Sequence, residues 1–408
     1  MAQVAPNQKN YTVEGGELYI DLGPGGIEAP EGLYDTQRYT INMGPQHPAT
    51  HGVLRLKLEM DGEAVIGISP VIGYLHRCFE KHGENLAYQK VIPFTDRLDY
   101  LAGMNQNWSL ALGIERLMGI ELPERVEYIR VIMGELNRIA SHLVAFGTFG
   151  LDLGAFTPFL WSFRDREKIL DLLEWVSGAR LLYNYIWVGG VARDLPEGWT
   201  GKCLEFLDYF EPKIDEYDKL LSFNQIFIER TARTGIISQQ VAIDYGITGP
   251  NLRGSGINWD LRRDDPYSIY DRFAWQVARG AGQFGPLGSC WDRYWVRMLE
   301  MRQSMKILRQ AIRDLPTEGD VHEKVPKKVK VPAGDYYVRT EAPKGELGFY
   351  IVSDGTDVAR RIKARSPSFC AISALDAMVK SPENPRTLIA DAVATIASLD
   401  IVLGEVDR

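Results

Sequence analysis

Cysteine is scarce in this chain of 408 residues: four are present, Cys78, Cys203, Cys290 and Cys370, far apart and without a CxxC pair. A disulfide framework, a zinc ribbon and an iron–sulfur cluster held wholly by this chain are therefore unsupported, and a reducing, cytoplasmic compartment fits. Long apolar runs are lacking as well. The nearest, residues 143–163, is interrupted by Gly147, Gly150, Asp152, Gly154 and Pro158, and reads as a buried helix–loop–helix rather than a membrane span. Positive charge is not in excess. The net charge of −8 argues against a nucleic-acid partner, which calls for a basic patch. The first 30 residues have no apolar core, so no signal peptide is expected, and residues 1–37 read as an extended N-terminal arm.

What is present is an ordinary globular composition, 45% hydrophobic and 25% charged, on a chain long enough for a substantial core or two lobes. Histidine is rare, yet two of the six, His47 and His51, lie four apart in Gly44-Pro45-Gln46-His47-Pro48-Ala49-Thr50-His51-Gly52. A helix would put both on one face, but Pro48 disfavours the helical region at His47, and Pro45 and Gly52 bracket the segment. The pair is expected on a shaped loop. A strand follows, because Leu54, Leu56, Leu58 and Met60 alternate with Arg55, Lys57 and Glu59 before the turn signal Asp61-Gly62. Such a loop is a plausible binding element, although a histidine satisfying a local hydrogen bond is commoner than a ligand.

A β-rich segment (residues 38–72) gives way to a helical core (73–314). Pro123 is expected at a first helical position with Glu124 and Glu127 in the first turn, where acidic groups complement the helix dipole. Val126, Ile129, Met133, Leu136, Ile139 and Leu143 continue it as an apolar stripe, and Gly147 and Gly150 are expected to end it. Thr157-Pro158 restarts a helix to about Gly178, a third spans about 204–221 with Pro212 as a possible kink, and a fourth runs from Trp291 to Ile312. Their aromatic and methionine stripes read as core. A Lys/Pro-rich linker (315–334) leads to a C-terminal α+β segment (335–408). The fold class is α+β, mainly α, with small sheets at both ends.

Three clusters could carry chemistry: Arg97-Leu98-Asp99-Tyr100, a charged pair joined to a phenol; Leu151-Asp152-Leu153-Gly154-Ala155, a carboxylate in apolar surroundings; and the charged turn Glu341 to Gly348. A buried aspartate either caps a helix or compensates a cation, since an unpaired buried charge is costly. Taken singly, each is better read as a cap, a salt bridge or a hairpin.

Taken together they are more specific. The His47–His51 loop, Gly73-Tyr74-Leu75-His76-Arg77, Asp96 to Tyr100, Leu151 to Pro158, Ala342 to Gly348 and the ending Gly404 to Arg408 resemble, in order and spacing, the 49-kDa-type (D) subunit of respiratory complex I, the proton-translocating NADH:quinone oxidoreductase. The resemblance covers about residues 38–408 and points to the separate form of the subunit, with no neighbouring-subunit domain fused ahead of it. It implies a fold related to the [NiFe]-hydrogenase large subunit, a helical bundle. Hydrogenase chemistry itself needs thiolates from two CxxC motifs, and the corresponding places here, Arg97 to Tyr100 and Asp400 to Gly404, have no cysteine.

The resemblance further implies a cavity that receives a quinone head group as substrate, shared with a partner subunit carrying a [4Fe–4S] cluster. His51 and Tyr100 match the head-group ligands, Asp152 the carboxylate paired with the histidine, and His47 would line the same loop. A phenol (pKa about 10) and an imidazole (about 6.5) can both donate to an oxygen whose basicity rises on reduction. Arg77, Arg97, His142 and Leu182 would lie near the partner's cluster. At Leu182 the family usually has histidine, so a low-potential cluster and a low-potential quinone, menaquinone rather than ubiquinone, are expected. No cofactor or metal would be bound by this chain alone. Implied partners are the B-type [4Fe–4S] subunit, the C-type (30-kDa) subunit, the I-type ferredoxin-like subunit and the membrane H- and A-type subunits, with the chain peripheral on the cytoplasmic side of the bacterial cell membrane. Alternatives are a ferredoxin-driven complex I-type enzyme, a non-catalytic hydrogenase-like scaffold, or a loop metal site using His47, His51 and Asp152.

Overall fold

Leu54, Leu56, Leu58 and Met60 are all buried, and this alternation forms the strand Arg55–Asp61 at the heart of an antiparallel sheet. In the computed structural model, which describes residues 11–14, 17–20, 38–326, 328–384 and 386–408, that strand pairs with Arg38–Met43 on one side and Ala64–Val71 on the other. Two residues, Gly62 and Glu63, make the hairpin turn. A fourth strand, Thr387–Leu388, closes the edge from the far end of the sequence. The sequence pattern places small sheets at opposite ends, yet this one joins the two ends. The extended arm expected over 1–37 lies outside the described residues, apart from the backbone pairing of Tyr11–Glu14 with Glu17–Ile20.

The centre is a helix of 29 residues, Glu124–Asp152, about 43 Å long at 1.5 Å per residue. Glu124 and Glu127 occupy its first turn as expected, with Pro123 one position earlier than expected, at the N-cap. The larger correction is at the other end: Gly147 and Gly150 lie within the helix. Their role is close packing. A Cβ on Gly147 would sit 2.3 Å from Ser162 Oγ and 3.1 Å from Phe159 Cα, on the neighbouring helix Phe156–Ser177. The missing side chains let the two helices approach, and the long helix carries on until its last residue is Asp152.

Around it pack Gly103–Met118, Trp199–Tyr217 and Cys290–Asp314, joined in one large apolar core. Pro212 lies inside Trp199–Tyr217 without ending it, and a π turn, Asp218–Ser222, follows. A second core lies under the four-stranded sheet and includes Leu399, Ile401, Leu403 and Val406. Segment 315–333 has no helix or extended strand among its described residues, although Val329 and Val331 are buried. Gly334–Ala342, Gly345–Ser353 and Arg361–Arg365 then form the C-terminal antiparallel sheet. No helix among the described residues is long and apolar enough to cross a membrane.

Buried charges fasten these parts together. Arg253 reaches Glu300 at 2.6 Å and Glu341 at 2.8 Å, while Glu135 receives Arg138 and Arg262, each at 3.2 Å, and hydrogen bonds from Tyr270 and Ser304. The long helix, Cys290–Asp314 and the C-terminal hairpin are thereby tied at fixed register. Removing one partner of such a pair strands a buried charge, which typically costs about 3–5 kcal/mol.

Candidate functional site

The loop from Gly44 to Leu54 joins two neighbouring antiparallel strands, so Met43 and Leu56 pin its ends. Gly44 has φ +86°, and a Cβ there would fall 1.9 Å from the Leu54 carbonyl oxygen, so the loop mouth closes only around a glycine. Inside, Pro48–Thr50 makes a single 3₁₀ turn. His47 caps it, its Nδ1 accepting from the Ala49 amide at 3.2 Å, and Thr50 Oγ1 donates to the His47 carbonyl at 2.7 Å. His51 ends the turn in the left-handed region (φ 50°, ψ 46°). Gly44→Ala should destabilise this loop by about 1–3 kcal/mol. A thermal melt should then show unfolding of the variant at a lower temperature than wild type, and an unchanged midpoint would contradict this role for Gly44.

His51 Nε2 meets Asp152 Oδ2 at 2.5 Å, with the two side chains 17% and 9% exposed. The location of Asp152 explains the pairing. A carboxylate at the C-terminal end of a helix faces the negative end of the dipole, which disfavours it and favours a cation beside it. Burial works against charge on His51, but the hydrogen bond and charge of Asp152, with the charge of Asp400, outweigh it and raise the imidazole above its ordinary value. Nε2 is occupied, so Nδ1 is the nitrogen left to face a ligand.

Tyr100 lies in the turn between the helices Tyr88–Thr95 and Gly103–Met118 and is half-buried. Its hydroxyl has no hydrogen-bond partner among the described residues. Burial and the neighbouring Asp99 charge raise its pKa, with Lys344 and Arg77 pulling the other way. Asp99 is buried against Lys344 at 3.3 Å, and Lys344 in turn is 3.6 Å from Asp400, the residue whose charge is felt at His51. The phenol and the imidazole thus border one buried ionic cluster.

The remaining expected residues are spread more widely. Arg77 donates to the Arg97 carbonyl at 2.5 Å and the Gly404 carbonyl at 3.1 Å, linking that turn to the C-terminus. Arg97 is exposed, 3.8 Å from the buried Asp96. His142 lies ten residues before Asp152 on the same helix, about 15 Å away along its axis. It is fully buried at 2.9 Å from Glu300, and burial lowers its pKa despite that partner. Leu182 is half-buried with φ 58°. His47, His51 and Asp152 do not converge as a ligand set, and no group of three or more metal-ligating side chains occurs among the described residues.

Two features are hidden in the sequence. Lys344 sits in a turn motif that looks solvent-exposed, yet it is 2% exposed. Asp96 accepts from the Asn184 amide at 3.0 Å, and burial lifts its carboxyl to about 7. The available signal for each is its motif, Asp96 in the charged turn before Tyr100 and Lys344 in the charged turn Glu341 to Gly348, but neither motif shows that the side chain is buried.

A mainly helical α+β chain that gathers a phenol and an imidazole around one buried ionic cluster has the proton donors that a component of an oxidoreductase complex needs. The comparisons make this specific. Residues 152–329 and 320–408 match the family described as respiratory-chain NADH dehydrogenase, 49 Kd subunit. The D-type chain of the NADH-quinone oxidoreductase of Chlorobium luteolum is 54% identical over 376 residues, covering 91% of this chain and 94% of the relative. Its counterpart in Chlorobium phaeobacteroides is 52% identical over 396 residues (96% and 98%), and one in Cytophaga hutchinsonii is 54% identical over 377 residues (90% and 95%). The chain belongs to the 49-kDa (D) subunit family of complex I, the NADH-quinone oxidoreductase of the respiratory chain.

Proposed function

We propose that this chain builds half of the quinone head-group site of a proton-translocating NADH:quinone oxidoreductase and supplies the protons for reduction to quinol. The observation that carries the reading is the His51–Asp152 pair at 2.5 Å, joined through Asp400, Lys344 and Asp99 to Tyr100. Quinone reduction consumes two electrons and two protons. Tyr100 Oη–H and His51 Nδ1–H each donate to a carbonyl oxygen, while electrons arrive by tunnelling from a [4Fe–4S] cluster in the B-type partner. His47 shapes the loop, and Arg77 and Arg97 border the cluster side. The fold is read as hydrogenase-like, with C-type, I-type, H-type and A-type subunits as the further neighbours, and the chain lies peripheral on the cytoplasmic face of the membrane. NADH enters through other subunits. Chemical labelling of Tyr100 in the assembled complex tests the site: added quinone should protect the phenol, and labelling indifferent to quinone contradicts it.

Leu182 sets the electron side of this reading. A protonatable group beside a cluster stabilises the added electron when charged, linking electron and proton uptake. Leucine can do neither, and burial lowers the proton affinity of His142 despite Glu300, which makes it a poor substitute. An EPR redox titration of the assembled complex should therefore show a terminal cluster of lower potential than in histidine-bearing relatives, suited to menaquinone. Its pH slope near neutrality should fall well below the one-proton limit of about 59 mV per unit. A slope near that limit contradicts the expectation, and its loss in Asp96→Asn would then name Asp96 as the linked group.

A further inference from the structure

Behind Tyr100 and His51 lies a cluster of ionisable side chains with more carboxylates than cations. Lys344 is faced by Asp99 and Tyr100 from the turn before Gly103, by Asp400 and Glu405 from the C-terminal segment, and by Ser141 from the long helix, to which it donates at 3.0 Å. Arg297, from the helix Cys290–Asp314, stands 3.7 Å from Asp400. Asp99 and Asp400 therefore have cations nearby. Glu405, 1% exposed, has none within 4 Å among the described residues. Its hydrogen-bonding neighbours are neutral: Gln106 Nε2 donates at 3.3 Å and the Ser368 amide at 3.3 Å, with the Ser368 side chain beside them.

An ionised carboxylate buried with so little compensation is costly, so Glu405 carries a proton. The polar atoms of the cluster are short of partners too: Gln106 Oε1 is buried without a hydrogen bond among the described residues, as are Asp99 Oδ2 and Asp400 Oδ2, the oxygens facing Lys344. Burial and the Asp99 charge raise Glu405 to about 7, and burial raises Asp99, partly offset by Lys344. Burial works against the Lys344 ammonium, but the charges of Asp400 and Asp99 raise it above its ordinary value, and Glu405 adds to this only when ionised.

We propose that Glu405, with Asp99, Lys344 and Asp400, is a buried proton store that reloads Tyr100 and His51 between quinone turnovers. This rests on the quinone-site reading above. When a quinone takes two electrons from the partner's iron–sulfur cluster, Tyr100 and His51 each lose one proton, leaving a phenolate and a neutral imidazole. One proton returns from the Glu405 carboxyl and one from the Lys344 ammonium, and both are replaced from water. Two protons leave and two enter. Glu405 acts through Tyr100 and His51, not on the quinone.

The store predicts a separation in time that a structural role would not produce. In the assembled complex, Glu405→Gln keeps the side-chain shape and cannot carry a proton. Its first turnover, run on donors already loaded, should match wild type, while steady-state turnover falls about tenfold, most at alkaline pH, with KM for a short-chain quinone unchanged. Glu405→Asp should restore much of the loss. Equal slowing of first and later turnovers, or an unchanged steady-state pH profile, overturns the proposal. If Glu405→Gln does not assemble, the unmodified complex decides: its redox-difference infrared spectrum should show a protonated-carboxyl band altered by quinone reduction, and absence of such a band overturns the store. Tyr100→Phe separates the two readings, because unimpaired first-turnover reduction in that variant removes the quinone site itself.

Discussion

Replacing Tyr100 with phenylalanine is expected to slow quinone reduction about 100-fold in a complex that still assembles. Only one oxygen is removed. The ring is half-buried in a tight turn, and its hydroxyl holds up no neighbour among the described residues, so the packing cost is small. On the proposed reading, what is lost is a donor aimed at charge that develops on the quinone oxygen, and losing such a donor typically costs on the order of 100-fold or more. The surroundings sharpen the expectation. Burial and the Asp99 charge raise the phenol's pKa, so it holds its proton until the quinone oxygen becomes basic enough to take it. Reduction of the upstream clusters by NADH should be unchanged. Activity near wild type at every quinone concentration would contradict the assignment.

Asp152→Asn should have an effect of similar size, about 100-fold above neutral pH, by acting on the proton affinity of His51. Burial alone would lower that affinity; Asp152 reverses the sign. The raised affinity means that the His51–Asp152 interaction is fully present below the unfolded value of about 6.5 and is lost as pH rises through the higher folded value. Removing the carboxylate moves the alkaline limb of the rate profile to lower pH, because His51 then gives up its proton earlier. The helix end adds to this: its partial negative charge remains in the variant and retains part of the preference for a cation. Turnover should therefore recover in part on acidification. A profile with the same alkaline limb as wild type would show that Asp152 does not set the protonation of His51.

Local patterns are legible in the sequence and long-range ones are not. Alternation of Leu54, Leu56, Leu58 and Met60 with charged residues marks the strand and its buried face, because a half-buried strand has a period of two whatever surrounds it. The stripe from Val126 to Leu143 locates the long helix for the same kind of reason. Its end is misread because glycine carries two meanings. Gly147 and Gly150 look like terminators in isolation, and only their neighbours in the fold, Ser162 and Phe159 against Gly147 and Pro158 and Leu221 against Gly150, make them sites of close approach. The short helices between residues 79 and 95 and between 225 and 264 have too few turns to show a period and escape a reading by pattern. His51 and Asp152 are 101 residues apart, so no spacing rule joins them; the family resemblance suggests the pair, and the fold sets it at 2.5 Å. Glu405 is hidden differently. One charged residue among Ile401, Val402, Leu403 and Val406 is a signal of burial, but its meaning depends on Asp99 and Lys344, which the sequence keeps far away.

The central claim is that Tyr100 and His51 receive the two oxygens of one quinone head group. A structure of the assembled complex with a short-chain quinone bound measures this directly. One carbonyl oxygen should lie about 2.6–3.2 Å from the Tyr100 hydroxyl and the other at the same distance from His51 Nδ1, or one water away. A head group seated in the complex with neither side chain in reach would contradict the account.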